Sequence, residues 1–487
     1  MKKIFLMPVL FASLLFMACG SDDDNNPPMP TDPEEIIKDI DKMPYSELSP
    51  EQQKVKLEAD ANELIKYGDA AKNSVSIEAM QTLESLLSTS SVSIVTNGIG
   101  RQGTITNVQE TVQYADVYGV YTWNRTKKDW DKTASTSELK FVFPAKKNGT
   151  ANNASFTITA TSSGIPVVLE SKDCDWYYDE GEGEWDEDCT ITETTYYLPS
   201  KAKGLIAIDG REAGAVDFSA DYQGNKEVPV KSDFSISLSD GYKLVTSWEK
   251  GANNTATTQM TYNNAVLFDA AVKANVKLDD IFDKLDAGVE VPYNLYGNSA
   301  EGYIKVLDNL VFVVKVDAAA FAQEMAALDD LYEQKWDDLY ESSMNPALVP
   351  EWGGEAHEMN TNKDYYTTGN QYRKEYSEKQ VALYNKHLTM TLASSKDGAK
   401  IADVVWKSEK SDYGWVSDYE YWDETKGYWW SAYPTPTGVT FASFEYYGEN
   451  YYFKFKDNST VEVDAYFSTG FSTFIKNWED FVKAFDR

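Results

Sequence analysis

Apolar residues recur along this chain with two different periods, and the change from one to the other divides it. Near the N-terminus the period is helical. Ser49-Pro50-Glu51-Gln52 offers an N-cap, a proline at the first helical position and a glutamine at the third, which predicts a helix running towards Gly68. A second helix is expected after Ser76, with Ile77, Met80, Leu83, Leu86 and Leu87 on one side. Beyond about Ser91 the period drops to two: Leu139, Phe141 and Phe143, then Phe156, Ile158 and Ala160, alternate as half-buried strands do. Asp209-Gly210 is a two-residue hairpin turn and Asn263-Asn264 a weaker one. Further strands are expected around Val266 to Val276, Ile304 to Leu307 and Leu310 to Val316.

Asp317 can cap a long helix that stops before Pro346, and the polar, Tyr-rich stretch from Asn345 to Lys379 is expected to be loop with one short helix. Strands resume at HLTMTL and IADVVW around a turn from Ser394 to Gly398, with Asp397 at its corner. The chain closes on an amphipathic helix with Phe471, Phe474, Ile475, Trp478, Phe481, Val482 and Phe485 on one face. Strands and helices lie in blocks, so the expected class is α+β, mainly β, built from antiparallel sheets of hairpins. The segments are a helical region at 34–91, a β-rich domain at 92–316, a long helix at 317–345 and a second β-rich unit with its C-terminal helix at 346–487.

The first residues belong to none of these. Lys2 and Lys3 precede an uncharged, mostly apolar stretch from Ile4 to Ala18, too short for a comfortable membrane span and polarised like a cleaved signal peptide over 1–18. Phe16-Met17-Ala18-Cys19 resembles a bacterial lipobox, which implies a lipidated Cys19 as the new N-terminus. The acids Asp22, Asp23 and Asp24 resemble the surface-export signal of Bacteroidota lipoproteins, which implies an outer-membrane anchor facing the cell exterior. Residues 19–33, acidic and then proline-rich, form an extended tether.

Charge narrows the partners. Without residues 1–18 the chain has 43 Lys and Arg against 78 Asp and Glu, a net −35. Nucleic acid and anionic lipid headgroups both require cationic surface, so the expected membrane contact is the lipid anchor alone. Only His357 and His387 supply imidazole, which disfavours histidine-based catalysis and zinc binding. No phosphate loop, nucleophile elbow or H-E-x-x-H pair occurs. A carboxylate-based glycosidase leaves no short motif and stays open as an alternative.

One local pattern recurs three times: Trp123-Asn124-(RTKK)-Asp129-Trp130, Tyr178-Asp179-(EGEG)-Glu184-Trp185 and Trp422-Asp423-(ETKG)-Tyr428-Trp429. Pairing the outer aromatics across an antiparallel ladder leaves a four-residue loop. In the middle copy that register sets Cys174 opposite Cys189, within reach of a disulfide contributing about 3 kcal/mol. The same register sets Asp175 opposite Asp188 and Tyr177 opposite Asp186. Either a solvated acidic ribbon or a calcium site at Asp175, Asp186 and Asp188 accommodates that repulsion. No cofactor is otherwise expected.

The aromatics also admit two readings. Cross-strand pairs stabilise hairpins without any ligand, whereas exposed rings would stack on sugars. The cluster from Tyr413 to Tyr433 is the densest, and Trp415, Tyr421, Trp422, Trp429 and Trp430 are the candidate ligand-binding residues. GVYTWNRTKKDW with LKFVFPA, and YYFKFKDNSTVEVDAYFSTGFSTFI, are similar to uncharacterised Bacteroidota surface lipoproteins. That resemblance implies an anchored extracellular protein and carries no catalytic residues across. The expected function is non-catalytic binding of a ligand such as a polysaccharide, with a structural or assembly role as the alternative.

Overall fold

An alternating strand has one apolar face, and neighbours joined by tight turns bring those faces into register. In the computed structural model sixteen strands do this in one sheet. The residues described are 32–72, 74–88, 118–135, 138–179, 184–224, 226–286, 289, 297–307, 309–343, 361–431 and 434–467, without the side chains of 65, 68–72, 88, 167–173, 175–179, 184–188, 190–196, 282, 283, 285, 286 and 418. The expected signal segment at 1–18, the expected tether as far as residue 31 with Cys19, and the expected C-terminal helix lie outside them, whereas Asp32 and Pro33, placed in that tether, cap and open the first helix.

Three helices come first: α1 (Pro33–Lys42), α2 (Pro50–Lys72) and α3 (Val75–Ser88). The expected capping box opens α2. The Ser49 N–H donates to Gln52 Oε1 at 2.9 Å, and the Gln52 N–H donates to Ser49 Oγ at 3.3 Å. The sheet follows with β1 (Gly119–Asn124), β2 (Asp129–Ala134), β3 (Leu139–Phe143), β4 (Ala154–Asp179), β5 (Glu184–Ile208), β6 (Arg211–Asp221), β7 (Lys231–Leu238), β8 (Tyr242–Glu249), β9 (Asn254–Tyr262) and β10 (Ala265–Ala274). It continues through α4 (Leu278–Asp286), β11 (Ala300–Val306) and β12 (Leu310–Val316). Both hairpin turns read from sequence are left-handed pairs, Asp209 and Gly210 at φ 51° and 75°, Asn263 and Asn264 at 48° and 67°.

Two long helices interrupt the sheet, α5 (Ala318–Ser343) and α6 (Tyr365–His387). Then come β13 (Leu388–Ser394), β14 (Ala399–Lys410), β15 (Trp415–Asp423), β16 (Tyr428–Ser431), β17 (Phe441–Phe444), β18 (Tyr447–Lys454), β19 (Thr460–Glu462) and the one-turn α7 (Val463–Tyr466). The large sheet runs β19-β18-β14-β13-β12-β11-β10-β9-β8-β7-β6-β5-β4-β3-β1-β2, so β12 pairs with β13 across the long-helix insertion. Of its pairings only β1 with β3 is parallel. The α+β, mainly β class holds.

The helix α6 corrects one expectation, since most of it lies where a loop with one short helix was predicted. Its buried side is written largely in tyrosine: Tyr365, Tyr366 and Tyr384 join Gly369, Ser377, Gln380 and Val381 there. Tyrosine buries a large ring yet counts as half-polar, so the helical period is faint on a hydropathy basis.

Packing shows that the sheet curls. Leu57 of α2 clusters with Ile401, Ala402, Val404 and Phe453 of β14 and β18. Leu64, two turns on, clusters with Ile77, Leu238, Tyr242, Met260 and Leu267 of α3 and β7 to β10. Seven helical residues span about 10 Å, whereas β14 and β9 are five strand spacings apart, about 24 Å in a flat sheet. Ala79, Leu83 and Leu87 of α3 then pack on Tyr121, Trp130, Leu139, Phe141 and Phe143 of β1 to β3. Polar contacts fix α2 and α3 across successive turns. Lys56 pairs with Asp397, Asp60 accepts from Asn309 at 2.8 Å, Tyr242 donates to the Tyr67 carbonyl at 2.7 Å and Ser76 to the Ala213 carbonyl at 2.7 Å. The helix α1 packs Ile37 and Ile40 on Ala271, Tyr303, Val311 and Val313. By strand alternation these lie on the opposite face from Ala270, Ile304 and Phe312.

The helix α4 is held by charge. Asp279 pairs with Lys250 and, at 3.2 Å, with Lys226. The Lys250 hydrogen bond leads in holding its carboxyl below the ordinary 3.8, against the opposing effect of burial. A carboxylate with a depressed pKa stabilises the fold above its unfolded value and loses that contribution as pH falls through the folded value. Asp279→Asn is therefore expected to melt lower than the parent near neutrality, with the gap closing as pH is taken below 3.8. A gap independent of pH would contradict this ion pair as the cause.

Candidate functional site

All three aromatic hairpins adopt the register expected of them: Trp123 opposite Trp130, Tyr178 opposite Trp185, Trp422 opposite Trp429. The local cause is visible in the outer two. Asn124 Oδ1 accepts from the N–H groups of Thr126 and Lys127 at 3.1 and 3.2 Å, and Asp423 Oδ1 does the same for Thr425 and Lys426 at 2.9 and 3.1 Å. The fourth loop residue is left-handed in both, Lys128 at φ 53° and Gly427 at 74°.

In the middle hairpin Cys174 and Cys189 are opposite, with Cα atoms 4.1 Å apart and their sulfurs joined. Asp175 faces Asp188 and Tyr177 faces Asp186. The side chains of Asp175, Asp186 and Asp188 lie outside the described residues, as does the turn at 180–183. Among the described residues, from Pro166 opposite Tyr197 to Asp179 opposite Glu184 the two strands pair only with each other, a ribbon about 45 Å long at the usual rise. Among the described residues one trio of acids could hold a cation, Asp32, Glu34 and Glu301. Lys273 already reaches Asp32 at 3.0 Å and Glu34 at 3.4 Å, and Lys38 reaches Glu34 at 2.6 Å, so the trio is an ion-pair cluster.

The third hairpin belongs to a small separate sheet in the order β16-β15-β17. Its two faces differ. On one, Trp422 and Trp429 meet edge to face at 5.6 Å and pack with Ala442 and Phe444 against Trp336, Leu339, Tyr365 and Tyr366 of α5 and α6. Trp429 donates Nε1–H to the Asn362 carbonyl at 3.0 Å, and its ring centroid lies 4.9 Å from that of Tyr366. Gly369 lets α5 come close here, since a Cβ on it would sit 2.6 Å from the Trp336 ring. On the other face the register sets Phe441, Tyr421 and Trp430 side by side across three strands, with Tyr428 beside Trp430.

Of the five candidate residues, Trp429 is 4% exposed and Tyr421 7%, Trp422 is half-buried, and Trp430 and Trp415 are exposed at 36% and 41%. The candidates therefore divide into Trp429, Tyr421 and Trp422, which are buried or half-buried, and Trp430 and Trp415, which are exposed. Sequence reasoning missed Phe441 and Tyr446, which are exposed, and Tyr419 is exposed beside them. Their signal was the aromatic spacing of FASFEYY. Seven of the thirteen exposed large apolar side chains among the described residues fall between Tyr413 and Tyr446. Lys426 places its ammonium 3.1 Å from the Trp430 ring centroid.

The rim of the patch carries one residue that no sequence pattern singled out. Arg373 of α6 sets its guanidinium 4.4 Å from the Phe444 ring centroid, 5.2 Å from that of Tyr446 and 5.3 Å from that of Trp336. Trp415 stacks on the same Phe444 at 5.7 Å. The nearby acids are engaged. Glu445 pairs with Lys410 at 2.6 Å and Glu424 with Lys363 at 2.8 Å, and in each case the lysine hydrogen bond leads in holding the carboxyl below its usual range. Glu420 accepts from the Tyr366 hydroxyl at 2.7 Å. Of the histidines, His387 is buried with Nε2 3.3 Å from Glu324, and His357 lies outside the described residues.

Comparison with known proteins returns no matching family model, no matching curated protein and no matching solved structure. No helix among the described residues is long and apolar enough to cross a membrane.

The division of the tryptophans has a direct consequence. Trp429→Ala removes a buried ring and is expected to cost about 3–5 kcal/mol in chemical denaturation. Trp430→Ala, 36% exposed, is expected to cost less, about 1–2 kcal/mol. Equal losses from the two would place both rings in the core.

Proposed function

We propose that this protein is an outer-surface lipoprotein, anchored through Cys19, that binds a glycan non-catalytically with the aromatic patch around the small sheet. The observation that carries the reading is the gathering of exposed large apolar side chains between Tyr413 and Tyr446. Contiguous exposed apolar surface marks an interaction site, and flat rings with Lys426 and Arg373 beside them offer stacking area with hydrogen-bonding partners. The structural reading keeps one observation of its own, that Tyr421, Tyr428 and Trp429 are buried.

Two experiments test the reading. On a panel of immobilised polysaccharides, Trp430→Ala combined with Phe441→Ala is expected to weaken retention about tenfold at a temperature where melting shows both proteins folded. Retention that survives the double change places the site elsewhere. On intact cells, protease should remove the native protein but spare a variant with Asp22, Asp23 and Asp24 changed to Ala, and equal protection of both would contradict surface display.

A further inference from the structure

We propose that Arg373 is the anion-recognising element of the patch, and that the ligand is a sugar bearing a single carboxylate. The inference rests on the glycan reading above and adds the chemical class of the ligand.

In a chain with 78 acids and 45 bases, a half-buried arginine ordinarily finds a carboxylate. Arg373 has none among the described residues. Its Nε is buried without any hydrogen-bond acceptor. The acid beside it in the β17–β18 connection, Glu445, is taken by Lys410 and by the Tyr447 hydroxyl at 2.9 Å. What holds Arg373 instead is the ring set of Phe444, Tyr446 and Trp336. Rings attract the guanidinium through its flat face and leave its edge donors unused. Those donors form a rigid fork that matches a carboxylate bidentately.

The neighbouring surface sets what else the ligand carries. Phe444 is shared between Arg373 and the exposed Trp415, and Tyr446 is exposed on the same rim. A sugar face on these rings would bring a ring-borne carboxylate to the fork. The net charge of −33 opposes a polyanion. A single carboxylate at one site meets less of it, because charges beyond about 8 Å are largely screened at physiological salt.

Calorimetric titration of the full chain with β-linked glucuronyl-glucose, cellobiose and cellobiose 6-sulfate tests the proposal at physiological ionic strength. The acidic disaccharide is expected to bind at least tenfold tighter than cellobiose, as a charge-assisted pair would give. Arg373→Lys should erase that preference and leave cellobiose binding in place. Equal binding of the acidic and neutral sugars in the wild type overturns the proposal and leaves the glycan reading standing. Tighter binding of the sulfate than of the carboxylate overturns the assignment to a carboxylate. Binding of none of the three overturns this proposal and tells against the glycan reading with it. Arg373 also packs between rings, so melting is recorded for Arg373→Lys and Arg373→Gln. A folded variant of either kind that keeps the full acid preference overturns the proposal, and the wild-type comparison decides whether or not the variants fold.

Discussion

The architecture depends on one constraint, the two-residue side-chain period of an antiparallel ladder carried through sixteen strands. Within each strand a one-residue slip would exchange Phe141 for Lys140, or Met260 for Gln259, on the face that meets the helices. That face therefore stays apolar from β1 to β18 and must be covered, while α1 covers a second apolar patch on the other face at β10 to β13. The helices α2 and α3 are long enough to meet strands at both ends of the sheet order only because the sheet twists and curls. Leu57, Leu64, Ile77 and Leu83 are the points at which that curvature is fixed.

The small sheet depends on the large one indirectly, through α6. The C-terminal half of that helix, with Val381 and Tyr384, packs on Trp406 of β14. Its N-terminal half, with Tyr365 and Tyr366, packs on Trp429 and Ala442. One rigid helix thus links a core element to the aromatic patch, and Trp336 of α5 completes the seat through the gap left by Gly369. An aromatic surface supported this way keeps its exposed rings in place because the rings behind them are locked.

Much of this was legible in the sequence. The seven-residue spacing of the aromatic hairpins gave their register, and with it the pairing of Cys174 with Cys189. The hairpin turns and the caps at Ser49 and Asp317 were readable because each rests on local backbone chemistry. The helix α6 was hidden because its buried stripe is made of tyrosines, serine and glutamine. Alternation placed Trp422 and Trp429 on one face and Tyr421 and Trp430 on the other, but it could not tell which face the helices would cover. Arg373 lies outside every motif. Its place is set by rings from α5, from β17 and from the connection after β17, a juxtaposition that only the fold creates.

The central claim is that one face of the small sheet is core and its rim is an open, ligand-binding surface. Hydroxyl-radical footprinting of the native protein, with and without a retained polysaccharide, tests it most directly. The account predicts oxidation of Trp415, Trp430 and Phe441 that the polysaccharide suppresses, with Trp429 unmodified in both states. Oxidation of Trp429 as strong as that of Trp430, or rim residues that the polysaccharide leaves unprotected, would contradict it.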